Sequence, residues 1–281
     1  MRLAWATDLH LDSVQQQDID RFCSDVLASD VAGLLLGGDV GQARDLVHWL
    51  ELLDSRLELP IYYVLGNHDY YGASVSTVRR WVGELESPTL LWLPSTGRVE
   101  LSREVVLVGH GGWGDCQVGD TGSFEILTDY LAIEDLREAV DMRDVLSGFS
   151  TRAQLREVLA SLGLAAAAVL RPPLLDAARA AGTVLVLTHV PPFREACWYR
   201  GRISEESWLP GFTCKAVGDL LTEVAMANPR CGFTVLCGHT HGTGYVRMQP
   251  NLEVYTAKAQ YGRLFFRIVE LRGREVAVRA A

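Results

Sequence analysis

The chain is predicted to be an α/β protein, and three observations carry that prediction. Short apolar runs of strand length alternate with segments of helical periodicity. Five of those runs end in a small group of Asp, Asn or His residues. No internal repeat, low-complexity run or linker divides the 281 residues, so residues 1–281 are expected to form a single domain.

The first strand is Leu3-Ala4-Trp5-Ala6, which delivers Asp8 and His10. Alternate side chains of an extended segment point the same way, so these two can reach one ion together. A helix follows, with Ile19, Phe22, Cys23, Val26 and Leu27 on one face. Residues 31–36 form a second strand ending in Gly37-Gly38-Asp39, where glycines let the backbone turn tightly and leave one carboxylate at the tip. The next helix carries Ala43, Leu46, Val47 and Leu50 inward, with His48 as a solvated surface residue. After Pro60, the apolar run 61–65 leads into Gly66-Asn67-His68-Asp69. Alone, that stretch reads as an ordinary turn, since Gly, Asn and Asp tolerate turn angles. Its recurrence in kind at four other strand ends changes the reading. A helix bearing Val75, Val78, Trp81, Val82 and Leu85 closes the first half.

In the second half, strand 105–108 ends in Gly109-His110-Gly111-Gly112-Trp113-Gly114-Asp115. Glycine permits close approach of backbone to a ligand, so His110 or Asp115 could touch substrate; equally, His110 could merely cap the strand. Residues 120–150 are polar and mixed, with a helix expected around 133–140. A helix marked by Leu155, Val158, Leu159 and Leu162 runs into an alanine-rich one, and Pro172-Pro173 predicts a break or kink near Arg171. Gly182 ends the helix after it. Strand 184–187 ends in Thr188-His189. Residues 193–213 hold Trp198, Tyr199, Arg200, Arg202, Trp208 and Phe212 without clear periodicity. They read as a lid or pocket wall whose rings stack on substrate while Arg200 and Arg202 grip phosphate, or as a satellite core under a long loop. A helix bearing Val217, Leu220, Leu221 and Val224 precedes strand 234–237, which ends in Gly238-His239-Thr240-His241. The tail (252–255, 264–269, 276–278) alternates as strands of a mostly antiparallel sheet.

The net charge of -9 and pI near 5.3 argue against nucleic acid as a partner, because that affinity comes from Lys and Arg neutralising phosphates. Six cysteines are scattered without metal-type spacing and are expected to be reduced and mostly buried. The N-terminus has no export signal, and no apolar run approaches membrane-spanning length, the longest being 162–170. A soluble, cytoplasmic protein without membrane association is expected.

If the five strand ends share an edge, Asp8, His10, Asp39, Asn67, His68, His189, His239 and His241 converge on one crevice. That donor set is too large for one tetrahedral zinc and suits two adjacent divalent ions with mixed O/N ligands, Mn, Fe, Zn or Co. Asp39, with two oxygens, is the natural bridge. Two ions ~4 Å apart can clamp both oxygens of a phosphoryl transfer and acidify a bridging water to about pKa 7.

In order, Asp8-x-His10, Gly38-Asp39, Gly66-Asn67-His68-Asp69, His189 and Gly238-His239-Thr240-His241 resemble the five motif blocks of the calcineurin-like metallophosphoesterases. The resemblance implies a four-layer α/β/β/α sandwich of two mixed sheets flanked by helices. It implies that Asp8, His10, Asp39 and His241 hold one metal, and Asp39, Asn67, His189 and His239 the other. His68 would donate to a phosphate oxygen or protonate the leaving group, with Asp69 as its orienter. Val40-Gly41-Gln42 and Asp69 stand where the protein Ser/Thr phosphatases of this fold carry Asp-Arg-Gly and Glu, which points toward small-molecule phosphoesterases and phosphodiesterases. Residues 109–150 and 193–213 are expected to determine substrate. The expected activity is hydrolysis of a small-molecule phosphomonoester or phosphodiester by metal-activated hydroxide. The alternatives are a non-catalytic binding member of the same fold and a metal-dependent nuclease.

Overall fold

Residues 1–122, 125–139 and 153–280 are described in the computed structural model. The strands are β1 (Arg2–Ala6), β2 (Leu34–Leu36), β3 (Ile61–Tyr63), β4 (Leu90–Trp92), β5 (Arg98–Glu100), β6 (Val105–Gly109) and β7 (Thr183–Leu187). They continue as β8 (Trp198–Tyr199), β9 (Arg202–Ile203), β10 (Gly232–Cys237), β11 (Gly244–Gln249), β12 (Leu252–Thr256), β13 (Arg267–Arg272) and β14 (Glu275–Ala280). Two six-stranded mixed sheets result, in the orders β14-β13-β1-β2-β3-β4 and β11-β12-β10-β7-β6-β5, while β8 and β9 form a separate hairpin.

Period-2 alternation explains how these sheets stack. Leu3 and Trp5 of β1 share a core with Leu107 of β6, Leu185 and Leu187 of β7 and Leu236 of β10, which is the layer between the sheets. Ala4 and Ala6 point the other way, into a core with helices α1 (Gln16–Ala28), α2 (Ala43–Leu57) and α3 (Val75–Gly83). Val184, Val186 and Val235 of the second sheet face helices α4 (Ala153–Ala180) and α5 (Lys215–Ala227). The central strands are buried on both faces, which is why they read as unbroken apolar runs. This is the expected four-layer α/β/β/α sandwich.

Three expectations are corrected. Helix α4 runs from Ala153 to Ala180 through Pro172 and Pro173, so of the break or kink expected near Arg171 the break does not occur. The two prolines leave the carbonyls of Ala168 and Val169 without helical donors, but both residues are exposed and water can serve them. Leu170, Leu174 and Ala177 bury on either side of the prolines and hold the helix against its sheet. Uninterrupted, α4 is long and apolar enough by length and composition to cross a membrane, yet Leu159, Ala166 and Leu170 are core residues. The tail strands do not form one antiparallel sheet: β12 joins the second sheet parallel to β10, whereas β13 joins the first antiparallel to β1.

Of the helix expected at 133–140, Glu134–Glu138 is helical, and position 140 lies outside the described residues. His48 is exposed, and all six cysteines are buried thiols.

Candidate metal centre

The clusters leave the C-terminal ends of β1, β2 and β3 in the first sheet and of β7 and β10 in the second. They are spread over two sheets rather than one edge. Parallel register sets them side by side: Ala6 pairs with Leu36 and Leu36 with Tyr63, and Leu236 pairs with Leu187. The loops after these strands turn sharply. Asp8 (φ 53°), His10 (43°), Asp39 (53°), His239 (67°) and His241 (57°) are all left-handed. Each such residue costs on the order of 1 kcal/mol, a strain that persists where surrounding structure over-determines it, typically at a functional site.

Two glycines are there for space. A Cβ on Gly66 would lie 2.1 Å from Asp39 Oδ1, and one on Gly238 would lie 2.1 Å from Asp8 Oδ2. Gly66→Ala is therefore expected to displace the Asp39 carboxylate and weaken divalent-metal affinity about 10–100-fold, measured by calorimetric Mn²⁺ titration. Wild-type affinity in the folded variant would show that this contact is unimportant.

Asp69 is expected from the sequence to orient His68, and the structure gives it another task. Its carboxylate, wholly buried, accepts the backbone N–H groups of Asp39 (3.0 Å), Val40 (2.8 Å), Gly41 (3.1 Å) and Gly66 (2.8 Å), tying the loop after β2 to the loop after β3. Burial pushes this carboxyl up to about 7, opposed by those four N–H donors, all of which need an unprotonated oxygen.

Seven ligand-type side chains converge as a consequence. The His241 Nε2 lies 3.3 Å from Asp8 Oδ1 and 3.5 Å from His10 Nε2, which is 3.9 Å from Asp39 Oδ2. The His189 Nε2 lies 3.4 Å from Asp39 Oδ1, 2.9 Å from Asn67 Oδ1 and 3.2 Å from His239 Nδ1. Asp39 thus faces one group through each oxygen. Donor atoms of Asp8, His10 and His241 lie within 4.8 Å of one another, as do those of Asp8, Asp39 and His189, and of His10, Asp39 and His68.

The residues behind the cluster fit a metal. His189 can donate Nδ1–H to the Gly37 carbonyl (2.9 Å) and His239 can donate Nε2–H to the Gly211 carbonyl (3.1 Å). Each bond leaves the opposite ring nitrogen as a lone-pair donor facing the cluster, the arrangement by which histidine ligands are oriented. The protonation states agree. Burial pushes His10 and His239 down to about 3 and lowers His189, keeping these imidazoles neutral. Burial disfavours the Asp8 carboxylate, yet its contact with His241 helps hold it below its ordinary range. Burial, with Asp8 and Asp69 nearby, pushes Asp39 up. Burial lowers His241, but its contact with Asp8 outweighs that and raises it. Two buried carboxylates among histidines form a site that a cation stabilises.

His68 stands at the edge of the cluster, its ring centroid 4.7 Å from that of His10. It stacks on Tyr71 at 4.2 Å, with the Tyr71 hydroxyl 3.3 Å from Nε2. That hydroxyl donates to Asp129 Oδ1 at 2.5 Å, and the same oxygen accepts from Asn67 Nδ2 at 2.9 Å. Asp129, 6% exposed, therefore supports a candidate ligand and His68 at once. Sequence reasoning missed both partners. Tyr71, three residues beyond His68, could have been found from helical spacing; Asp129 lies in a stretch without a motif.

The other sequence candidates divide. A cavity of about 390 Å³ opens from the cluster, reaching Asp39, Asn67, His68, His239 and His241, and Arg202 lines it. Arg200 lines a separate open groove that shares Tyr199, His241 and Tyr261 with the cavity. His110 does not line the cavity: it is 4% exposed and its Nδ1 accepts the Gly112 N–H at 3.0 Å, organising its own loop. Asp115 accepts from Ala216 N at 2.8 Å, at the start of α5. Within 193–213, Tyr199, Trp208 and Phe212 line the cavity, whereas Cys197 is core. The part of 109–150 beyond 139 lies outside the described residues.

Comparison with known proteins fits this geometry. The family model of calcineurin-like phosphoesterases matches residues 1–243. Among solved structures, the chain is similar to phosphopantetheinyl hydrolase from Mycobacterium tuberculosis (TM-score 0.63, 15% identity, covering 92% of this chain and 89% of that one). It is also similar to a dimetal phosphatase from Danio rerio (TM-score 0.57, 11% identity, covering 100% and 98%) and to TT1561 of Thermus thermophilus (TM-score 0.55, 14% identity, covering 99% and 98%). At such identities these likenesses speak for the fold alone. No curated protein matches the chain. The family match over most of the chain, on a two-sheet sandwich with its Asp, Asn and His residues gathered at the strand ends, makes this protein a member of the calcineurin-like phosphoesterases.

Proposed function

We propose that the chain hydrolyses the phosphomonoester or phosphodiester of a small molecule with two divalent cations, drawn from Mn, Fe, Zn or Co. The observation that carries this reading is the convergence of all seven ligand-type residues around Asp39, with His68 at their edge. Asp8, His10, Asp39 and His241 would hold one cation, and Asp39, Asn67, His189 and His239 the other. When bound, such a pair supplies Lewis-acid stabilisation of phosphoryl charge and a nucleophile at neutral pH.

The protein's own contribution is positional. Gly37 and Gly211 fix the faces of His189 and His239, and Asp129 fixes the amide of Asn67, so its oxygen turns toward His189. His68 borders the cavity, where its ring can donate to a phosphate oxygen or to the departing alcohol. Tyr71, stacked beneath it, holds the ring plane. A cytoplasmic setting is part of this proposal.

Turnover of a chromogenic phosphodiester or phosphomonoester is expected with Mn²⁺, with loss on chelation and return on adding Mn²⁺. Folded protein that hydrolyses neither with any divalent metal would overturn the proposal.

A further inference from the structure

The cavity beside the metal cluster has a wall chemistry of its own. Besides Tyr71 under His68, its aromatic and apolar members are Leu127, Tyr199, Ile203, Trp208, Phe212 and Tyr261, contributed by three further segments. Tyr199 (43% exposed), Trp208 (39%) and Tyr261 (55%) leave large rings open to water around the mouth. Tyr261 lies close over the cluster, its centroid 4.4 Å from that of His10 and 5.4 Å from that of His241. Trp208 packs at 5.4 Å on Phe212, which meets the edge of His239 at 5.1 Å. A flat ligand joined to a phosphorus atom at the cluster would lie among these rings.

The polar inventory points the same way. Among the described residues, Arg202 is the one Lys or Arg lining the cavity, and its guanidinium is engaged by Glu205 at 2.7 Å. Glu205 lines the cavity too, and Asp129 adds a second carboxylate. The Ser204 hydroxyl donates to the Cys197 carbonyl at 3.0 Å. The Thr240 hydroxyl, on a residue 2% exposed, has no partner among the described residues. The wall thus offers aromatic faces and little positive charge. A second phosphate on the ligand's arm would meet Glu205 and Asp129 with Arg202 already paired.

We propose that this cavity is the subsite for the alcohol arm of the substrate, and that it selects a flat, uncharged aromatic arm carrying no further phosphate. The inference rests on the phosphoester reading above and names the substrate class of that site. About 390 Å³ accommodates a fused-ring group of drug-like size.

Phosphonates, whose C–P bond resists hydrolysis, test binding apart from turnover. With Mn²⁺-loaded protein, naphthylmethylphosphonate is expected to bind about tenfold or more tightly than ethylphosphonate by calorimetry, the scale of one ring stacked on aromatic side chains. A naphthylmethylphosphonate bearing a second phosphonate on the ring is expected to lose most of that gain. Trp208→Ala should reduce the naphthyl-to-ethyl affinity ratio at least about fivefold, and Tyr261→Ala, on an exposed and separate segment, gives a second reading should the first variant fold poorly. Equal affinities for the two phosphonates, or an unchanged ratio in both variants, would overturn the aromatic subsite while leaving the phosphoesterase reading intact. Failure of both phosphonates to bind in a metal-dependent way, with no ester hydrolysed, would overturn that reading and the subsite with it.

Discussion

Replacing Asp39 with asparagine is expected to lower phosphoester turnover more than about 100-fold and to reduce bound metal per chain. Supporting groups behind a metal ligand typically contribute about 10–100-fold, and a ligand facing both groups should exceed that. The carboxylate presents Oδ2 toward His10 at 3.9 Å and Oδ1 toward His189 at 3.4 Å, and Oδ1 also accepts the His68 N–H at 2.9 Å. An amide keeps the shape but has one acceptor oxygen and no charge, so one of the two groups must lose its shared oxygen. Elemental analysis and kcat/KM at saturating Mn²⁺ read the two effects separately. An Asp39→Asn protein with undiminished metal content and activity would overturn the proposed bridging role of Asp39.

Asp129→Ala is expected to lower kcat/KM about 10–100-fold without unfolding the protein, although Asp129 belongs to none of the motif blocks. Its Oδ1 accepts from both Asn67 and Tyr71, so the substitution frees the Asn67 amide to rotate and unpins the ring stacked on His68. Burial, reinforced by Asp129, keeps the Tyr71 phenol protonated and therefore a donor. Asp129→Asn, which retains an acceptor oxygen, should recover much of the loss. Tyr71→Phe keeps the stack and the Asn67 bond and should cost less than Asp129→Ala. Metal affinity distinguishes positioning from mere packing: a weakened second metal step in Mn²⁺ titrations is expected for Asp129→Ala and not for Tyr71→Phe. Identical titrations for wild type and Asp129→Ala would sink the positioning role.

Legibility varied with how local each signal was. The central strands were readable because β1, β6, β7 and β10 are buried on both faces over most of their length and so are largely apolar. Three edge strands escaped: β4, β5 and β11 end their sheets and are only partly buried, β11 alternating between half-buried and exposed. The prolines of α4 misled because their cost depends on whether the freed carbonyls reach water, which the composition of a helix does not state. His110 and Asp115 looked like substrate contacts because they follow a strand among glycines, yet one organises its own loop and the other meets α5. Asp69, inside the most telling motif, proved to be the tie between two loops.

What the sequence determined by itself was the chemistry on offer: eight donor-type residues at five strand ends, each cluster set by a few consecutive residues and by the need of the backbone to turn there. The tertiary structure decided their partners. Two sheets had to stack before β3 and β7 could bring Asn67 to His189, residues 122 positions apart. Asp129 reached Asn67 and Tyr71 in the same way, from a segment with no motif of its own. Donors close in sequence can be recognised from local spacing, whereas those joined by packing depend on side chains far along the chain, and no local pattern records that dependence.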